Sequence, residues 1–252
     1  MFKFNHNLEK EVFLVAEIGN NHEGVLQNAL DLVDAASYTG VNAVKFQTFV
    51  PEKYYASSEI TRIEKLNKFK LSKDDFRKIK DFTKSKGLIF FSTPFDLESA
   101  KFLNNIQDLF KISSGDNTFW PLIKEVSSYS KPTIISTGAS GFKELDRIYN
   151  HFEKNNQLEN LIFLHCVSSY PVPNNQANLL MIKKLSEKYA KIHIGYSDHT
   201  LGIDAASYAA VLGARIIEKH FTLDKNFSEF RDHQLSAEPD EMKLLVQKVR
   251  DI

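Results

Sequence analysis

The sequence has a single cysteine, Cys166, so no intrachain disulfide can form, which fits a reducing compartment. Neither sign of charge is in excess, with 32 basic residues against 32 acidic ones. That removes the usual footprint of nucleic-acid binding or of an anionic membrane surface. Any anion must then be held by a local site. No apolar run approaches the roughly 20 residues of a membrane span. The opening Met1 to Glu11 is polar and charged, unlike a signal peptide. Heptads and low-complexity segments are missing, and no composition shift marks a domain boundary. The glycines from Gly19 to Gly24 do not have the spacing of a dinucleotide-binding turn. These absences predict a soluble, cytoplasmic protein with neither nucleic acid nor membrane among its partners.

What is present is an alternation. Val12 to Ala16, ending in Glu17-Ile18-Gly19, reads as a buried first strand, because continuous apolar runs mark parallel strands covered on both faces. Leu26, Ala29, Leu30, Val33 and Ala36 then recur at helical spacing, and Gly40 ends that helix. Further strands read at Val41–Gln47, Leu88–Thr93, Leu109–Ser114, Pro132–Thr137, Leu161–Cys166, Ile192–Gly195 and Arg215–Phe221. Helices read between them, with Ser72, Asp96 and Ser140 as N-caps. Thr48 to Lys70 reads as a long loop with room for a helical turn, and a second polar loop runs to Ala237 before a last helix, Asp240 to Val249. Strand–helix alternation argues a parallel sheet. About eight units in 252 residues predict an α/β chain closed into a (β/α)8 TIM barrel, a single domain over residues 1–252. An open doubly wound sheet is the alternative.

Active sites of such barrels lie at the carboxyl ends of the strands. Those ends carry Glu17, Lys45, Gln47, Ser92, Thr93, Lys111, Ser113, Ser114, Ser136, Thr137, His165, Ser168, Ser197, Asp198, His199, Glu218 and His220. Helix capping accounts for some of the serines, but not for the lysines, histidines and glutamates. Alternate residues share a face of a strand, so Glu218 and His220 point one way and Ile217 and Lys219 the other. Lys111 with Ser113, Ser114 and Gly115 has the donors of an anion cradle, which Ser136-Thr137-Gly138 would extend. His199 and His220 are either hydrogen-bonded core histidines or ligands to a divalent metal. Their nitrogen and carboxylate surroundings, without thiolate, suit Mn²⁺, Co²⁺, Zn²⁺ or Mg²⁺. Lys45 and Lys111 are either electrostatic anchors or Schiff-base nucleophiles. A barrel that binds a sugar without turning it over is the third alternative.

Several segments resemble the sialic acid synthase family in content and order. They are Glu17-Ile18-Gly19-Asn20-Asn21-His22-Glu23-Gly24, Val44 to Thr48, Ser92 to Phe95, Lys111 to Asp116, Ser136 to Gly138, His165-Cys166, Tyr170-Pro171, Gly195 to Thr200 and Glu218 to Thr222. Asp232-His233 and Glu238-Pro239 follow the same pattern. The resemblance spans Glu17 to the end of the chain. It implies a transferase that condenses phosphoenolpyruvate with a sugar aldehyde into a nine-carbon 2-keto acid, such as sialic, legionaminic or pseudaminic acid, in carbohydrate or polysaccharide biosynthesis. By resemblance, Lys45, Thr93, Lys111, Ser114, Ser136 and Ser197 would hold phosphoenolpyruvate, with Gln47, Ser113, Tyr170 and Asp198 also on the substrates. His199 and His220 would hold the metal, Mn²⁺ by preference, with Mg²⁺ or Co²⁺ as alternatives. Glu17 would meet metal-bound water or substrate, and Glu218 and Asp232 would manage protons and hold the sugar. Two departures stand out. Ser168 replaces an asparagine near phosphoenolpyruvate, although serine still donates a hydrogen bond. The chain also ends after the eighth helix, where relatives continue into a small antifreeze-like domain that covers a partner's site in a dimer. Either the sequence is a truncated piece or the domain is naturally absent; in the second case the acceptor need not be an N-acyl mannosamine, and one reason for a homodimer is removed. The Thr48–Lys70 segment is also short for the family, which bears on aldehyde choice.

Overall fold

The computed structural model describes residues 8–252; the reading of Met1 to Glu11 therefore lies in part outside the described residues. Eight strands form one parallel sheet: β1 (Phe13–Gly19), β2 (Ala43–Thr48), β3 (Ile89–Pro94), β4 (Phe110–Ile112), β5 (Thr133–Ser136), β6 (Leu161–His165), β7 (His193–Asp198) and β8 (Ile216–His220). The hydrogen-bonded order is β3-β2-β1-β8-β7-β6-β5-β4. The ends β3 and β4 pack side by side and bring the sheet round into a barrel. At that seam a side chain does the work of a strand. The buried amide of Gln107 accepts from Ser92 N at 2.8 Å and donates to Ser92 O at 3.2 Å. Both main-chain groups of Ser92 are thereby satisfied where no ladder reaches them.

Strand alternation then sorts every side chain. Phe13, Val15, Ala43, Phe91, Ile134, Ile162, Leu164 and Ile216 form one buried cluster, which fills the barrel interior. Leu14, Ala16, Val44, Phe46, Phe90, Ile135, Phe163, Ile194 and Ile217 alternate with them and pack against the helices. Burying a side chain such as Phe13 or Phe91, each 0% exposed, contributes on the order of 2–3 kcal/mol. The apolar interior gives way to charge at its carboxyl end. One inward step beyond Val15 is Glu17, beyond Ala43 is Lys45, and beyond Ile216 is Glu218. The registers Glu17↔Lys45 and Glu17↔His220 set these groups side by side.

The expected helices form between the strands. Ser72 caps Lys73–Ser85 in a reciprocal arrangement with Asp75, and Asp96 caps Leu97–Leu103. Three local expectations need correction. Thr48–Lys70 is not a plain loop but holds two helices, Pro51–Tyr54 and Ile60–Lys68. The polar run before Ala237 contains the helix Arg231–Leu235. Ser140 does not cap the helix Phe142–Lys154, whose cap position is Gly141; its hydroxyl instead donates to Asn117. No helix among the described residues is long and apolar enough to cross a membrane.

Candidate active site

A cavity of about 480 Å³ opens at the carboxyl ends of the strands. Its wall includes Glu17, Lys45, Gln47, Thr93, Lys111, Ser113, Ser114, Ser136, Ser168, Tyr170, Ser197, His199, Glu218, His220 and Asp232. The inward phase of the strands explains why these side chains, and not their neighbours, meet there.

Four buried charges run across its floor. Lys45 Nζ lies 2.9 Å from Glu17 Oε1 and 3.5 Å from Glu218 Oε2, and it donates to Thr93 Oγ1 at 3.1 Å. Lys111 Nζ lies 3.6 Å from Glu218 Oε1, which also accepts from Ser197 Oγ at 2.9 Å. The carboxylates part company in acidity. Burial pushes Glu17 up to about 7, Lys45 opposing and Glu218 adding to the rise. Burial also pushes Glu218 up, but the ammoniums of Lys111 and Lys45 and the Ser197 hydroxyl outweigh it and hold the group at about 2. Burial lowers Lys111, whereas at Lys45 the two carboxylates overcome burial and raise it. Near neutrality Glu17 thus exchanges between its two protonation states, while Glu218 stays ionised. Divergence of this kind between neighbouring acids marks sites of proton transfer.

Beside Lys111 lies a set of small polar groups. Ser114 Oγ accepts from Gly138 N at 3.1 Å and lies 2.9 Å from Cys166 Sγ. Asn117 Nδ2 donates to Ser136 O and Gly138 O, both at 3.0 Å, pinning the turn after β5. Ser136 Oγ is buried with no hydrogen-bond partner among the described residues, a donor in want of an acceptor. A Cβ at Gly138 would stand 2.5 Å from Ser168 Oγ and 2.8 Å from both Cys166 Sγ and Ser114 Oγ. Only glycine lets the loops of β4, β5 and β6 close this tightly.

The two histidines lie together, ring centroids 5.5 Å apart. His199 Nδ1 bonds Val167 O at 3.0 Å, which fixes its proton there and leaves Nε2 with a lone pair. Tyr170 packs on its ring at 4.2 Å. His220 Nδ1 is buried without a partner among the described residues. Burial lowers both imidazoles, His220 well below its ordinary value, so both are neutral donors. Two neutral nitrogens, one of them orphaned, fit a divalent ion that takes its other ligands from water and substrate. No group of three or more His, Cys, Asp or Glu is arranged to hold a metal among the described residues, so protein ligands beyond this pair are not in place.

Asp198 is the correction at the site. It was expected on the substrates, but it is 0% exposed and points outward, away from the cavity. The reason is strand phase: Ser197 and His199 take the inward positions. Asp198 Oδ2 pairs with Lys219 Nζ at 3.0 Å, while Oδ1 accepts from Thr200 N at 2.9 Å and Thr200 Oγ1 at 2.8 Å. Each of these two residues sits between a pair of cavity residues on its own strand. Lys219→Met would leave the Asp198 carboxylate buried without its counter-charge and is expected to cost about 3–5 kcal/mol. Urea unfolding would measure the loss. Asn20, Tyr55, Phe95, Phe230 and Arg231 also line the cavity; Asn20 and Phe95 fall inside the motif segments without having been singled out, and Tyr55 and Phe230 carry no signal of their own in the sequence. Arg231 could have been read from its place beside Asp232.

An eight-stranded parallel barrel with a charged pocket at its carboxyl ends is the architecture of a (β/α)8 enzyme. The chain belongs to the NeuB family, whose model matches residues 32–252. It is 36% identical to the N,N'-diacetyllegionaminic acid synthase of Campylobacter jejuni, over 96% of this chain and 77% of that protein. It is 35% identical to the pseudaminic acid synthase of the same organism, over 98% of this chain and 75% of that one. Among solved structures, the N-acetylneuraminic acid (sialic acid) synthetase of Leptospira borgpetersenii, in complex with citrate, superposes with a TM-score of 0.91. It is 35% identical, over 96% of this chain and 83% of that one.

Proposed function

We propose that the chain condenses phosphoenolpyruvate with a sugar aldehyde to give a 2-keto-3-deoxy sugar acid of the nonulosonic type, with release of phosphate. The observation that carries this reading is the cavity floor. Lys111, Ser114 and the Ser136 hydroxyl, which has no partner among the described residues, line one side of it as a cradle for an anion, and two neutral imidazoles share the same cavity. The kinship with sialic, legionaminic and pseudaminic acid synthases supports the substrate class.

The residues divide the chemistry as follows. Lys45 and Lys111 hold the phosphate and carboxylate of phosphoenolpyruvate, and Ser114, Ser136, Ser168 and Ser197 add hydroxyls. Gln47, Tyr170 and Asp232 face the acceptor. His199 and His220 would hold a divalent ion, Mn²⁺ first with Mg²⁺ and Co²⁺ as alternatives. Such an ion supplies Lewis acidity toward the aldehyde oxygen. The enol C3 attacks the aldehyde carbon, and Glu17, able to hold or give up a proton near neutrality, stands as proton source for the new hydroxyl. Water adds at C2 as Glu218 takes its proton. Binding of the phosphate draws the two lysines away from Glu218 electrostatically, so its basicity rises when the substrate is seated. The tetrahedral carbon then expels phosphate and leaves the C2 ketone.

Burial lowers Lys111, which also favours a Schiff-base aldolase. The two readings separate in one screen. Phosphoenolpyruvate, Mn²⁺ and a panel of plain and acylated aldoses are supplied, and released phosphate and product mass are followed. Phosphate and a keto acid in equal amounts are expected. Borohydride trapping of substrate on the chain, with turnover indifferent to EDTA, would favour the aldolase.

A further inference from the structure

Asn117 takes no part in the chemistry of the condensation, yet its amide is spent on the active-site turn. It is 2% exposed and stands behind the cavity wall, in the loop between β4 and the helix Trp120–Ser128. Both amide protons are used, since Nδ2 donates to Ser136 O and to Gly138 O, each at 3.0 Å. Oδ1 accepts from Ser140 Oγ at 2.5 Å. One side chain thus takes hold of the first, third and fifth residues of the turn Ser136–Ser140. Asparagine carries two donors and an acceptor on one short stem, which is what such a grip needs.

The turn contains a strained residue. At Ala139 φ is 58°, in the left-handed region that a residue with a Cβ enters at a cost. Such a conformation persists where its surroundings over-determine it. Here the Asn117 bonds fall on either side of it, at Gly138 O before and Ser140 Oγ after. Two more bonds hold the same turn: Gly138 N donates to Ser114 Oγ at 3.1 Å, and Thr137 N donates to Leu164 O at 2.9 Å. The loop that carries Asn117 is itself braced. Ser113 Oγ donates to Asp116 Oδ2 at 2.6 Å, and Phe119 N donates to Asp116 O at 2.9 Å. Ser113, Ser114, Ser136 and Ala139 all stand on the cavity wall. The buried Ser136 hydroxyl has no partner among the described residues, so its aim is set by the backbone beneath it.

We infer that Asn117 is a positioning residue for the anion cradle. It holds the strained turn so that the Ser136 and Ser114 hydroxyls meet an anion without first rearranging, which is how preorganised donors gain their effect. That the anion is the phosphate of phosphoenolpyruvate rests on the condensation reading.

The test compares Asn117→Leu, Ala139→Gly and the double variant with the wild-type chain. Leucine keeps a branched shape and removes all three bonds, and glycine adopts a positive φ without steric cost. Binding of inorganic phosphate is followed by calorimetric titration, turnover by phosphate release, and the folded fraction by urea unfolding. Asn117→Leu is expected to weaken inorganic phosphate at least about tenfold and to lower kcat about 10- to 100-fold, the scale of a displacement of about 1 Å. KM for the aldose is expected to stay unchanged. Ala139→Gly in the same chain is expected to restore part of both losses, because the turn then needs no holding against strain. A merely structural asparagine would lower stability and leave phosphate affinity and kcat of the folded chain intact, and a glycine in another loop would rescue nothing. Either result overturns the inference, and so does a wild-type chain that does not bind inorganic phosphate. Should Asn117→Leu fail to fold, Ser140→Ala removes only the partner of Oδ1. It is expected to weaken phosphate about threefold or more, the worth of one hydrogen bond, and unchanged binding there would overturn the inference. If no aldose supports phosphate release by the wild-type chain, the condensation reading fails, while the phosphate titrations still decide whether Asn117 sets the cradle.

Discussion

Lys111→Met is expected to lower kcat/KM for phosphoenolpyruvate by about 100- to 1,000-fold, the range seen when one preorganised electrostatic contact is removed from an enclosed site. Lys111 shares the cavity wall with Ser114 and Ser136 and is 3% exposed there. No solvent ion can take its place. The methionine is close in shape, so the barrel should fold. The loss has a second source. Lys111 is the first of the groups that hold Glu218 low, so the variant also disturbs the base that receives the water proton. The loss should therefore appear in kcat as well as in KM. A change confined to KM would mean that Lys111 only binds phosphate. Steady-state kinetics with released phosphate as the readout separates the two. Activity within about threefold of wild type would remove Lys111 from the cradle.

His220→Ala is the second large effect. The account expects Mn²⁺ affinity to fall by at least about 100-fold, since loss even of an outer-shell partner costs 10- to 100-fold and here one of two imidazoles goes. Calorimetric titration with Mn²⁺ measures this without turnover. Metal-dependent phosphate release should disappear with it, and EDTA should do the same to the wild-type chain. The variant should not be destabilised in the way Lys219→Met is. It removes an Nδ1 that has no hydrogen-bond partner among the described residues, so no hydrogen bond at that nitrogen is broken and the loss is confined to ring contacts with His199 and Tyr170. Unchanged turnover in His220→Ala would count decisively against a metal held by this pair.

Much of the site was legible because a strand repeats every two residues. Glu218 and His220 share a face by arithmetic, and the same arithmetic turns Lys219 outward. Applied to β7, it would have turned Asp198 outward too. Polarity near a strand end does not by itself make a site residue; the phase of the position decides which face it takes. The helix Ile60–Lys68 was missed for a different reason. It buries no residue, so the apolar spacing that signals a helix is weak there, and its inner face is aimed at a cavity instead of a core. Gln107 lay beyond any local pattern. Its role depends on β3 and β4 meeting across a gap that only closure of the barrel creates. Local periodicity carries the strands and the inward charges, while long-range closure decides the seam, the seat of the helix Ile60–Lys68 and the reach of Arg231.

The most direct measurement follows one oxygen. The wild-type chain is given Mn²⁺, an aldose that supports turnover, and phosphoenolpyruvate labelled with ¹⁸O at the oxygen bridging C2 and phosphorus. Addition of water at C2 and expulsion of phosphate predict that the label leaves with the phosphate, in equal amount with an unlabelled 2-keto sugar acid. Label retained in the keto acid, or phosphate released at the same rate without any aldose, would contradict the account.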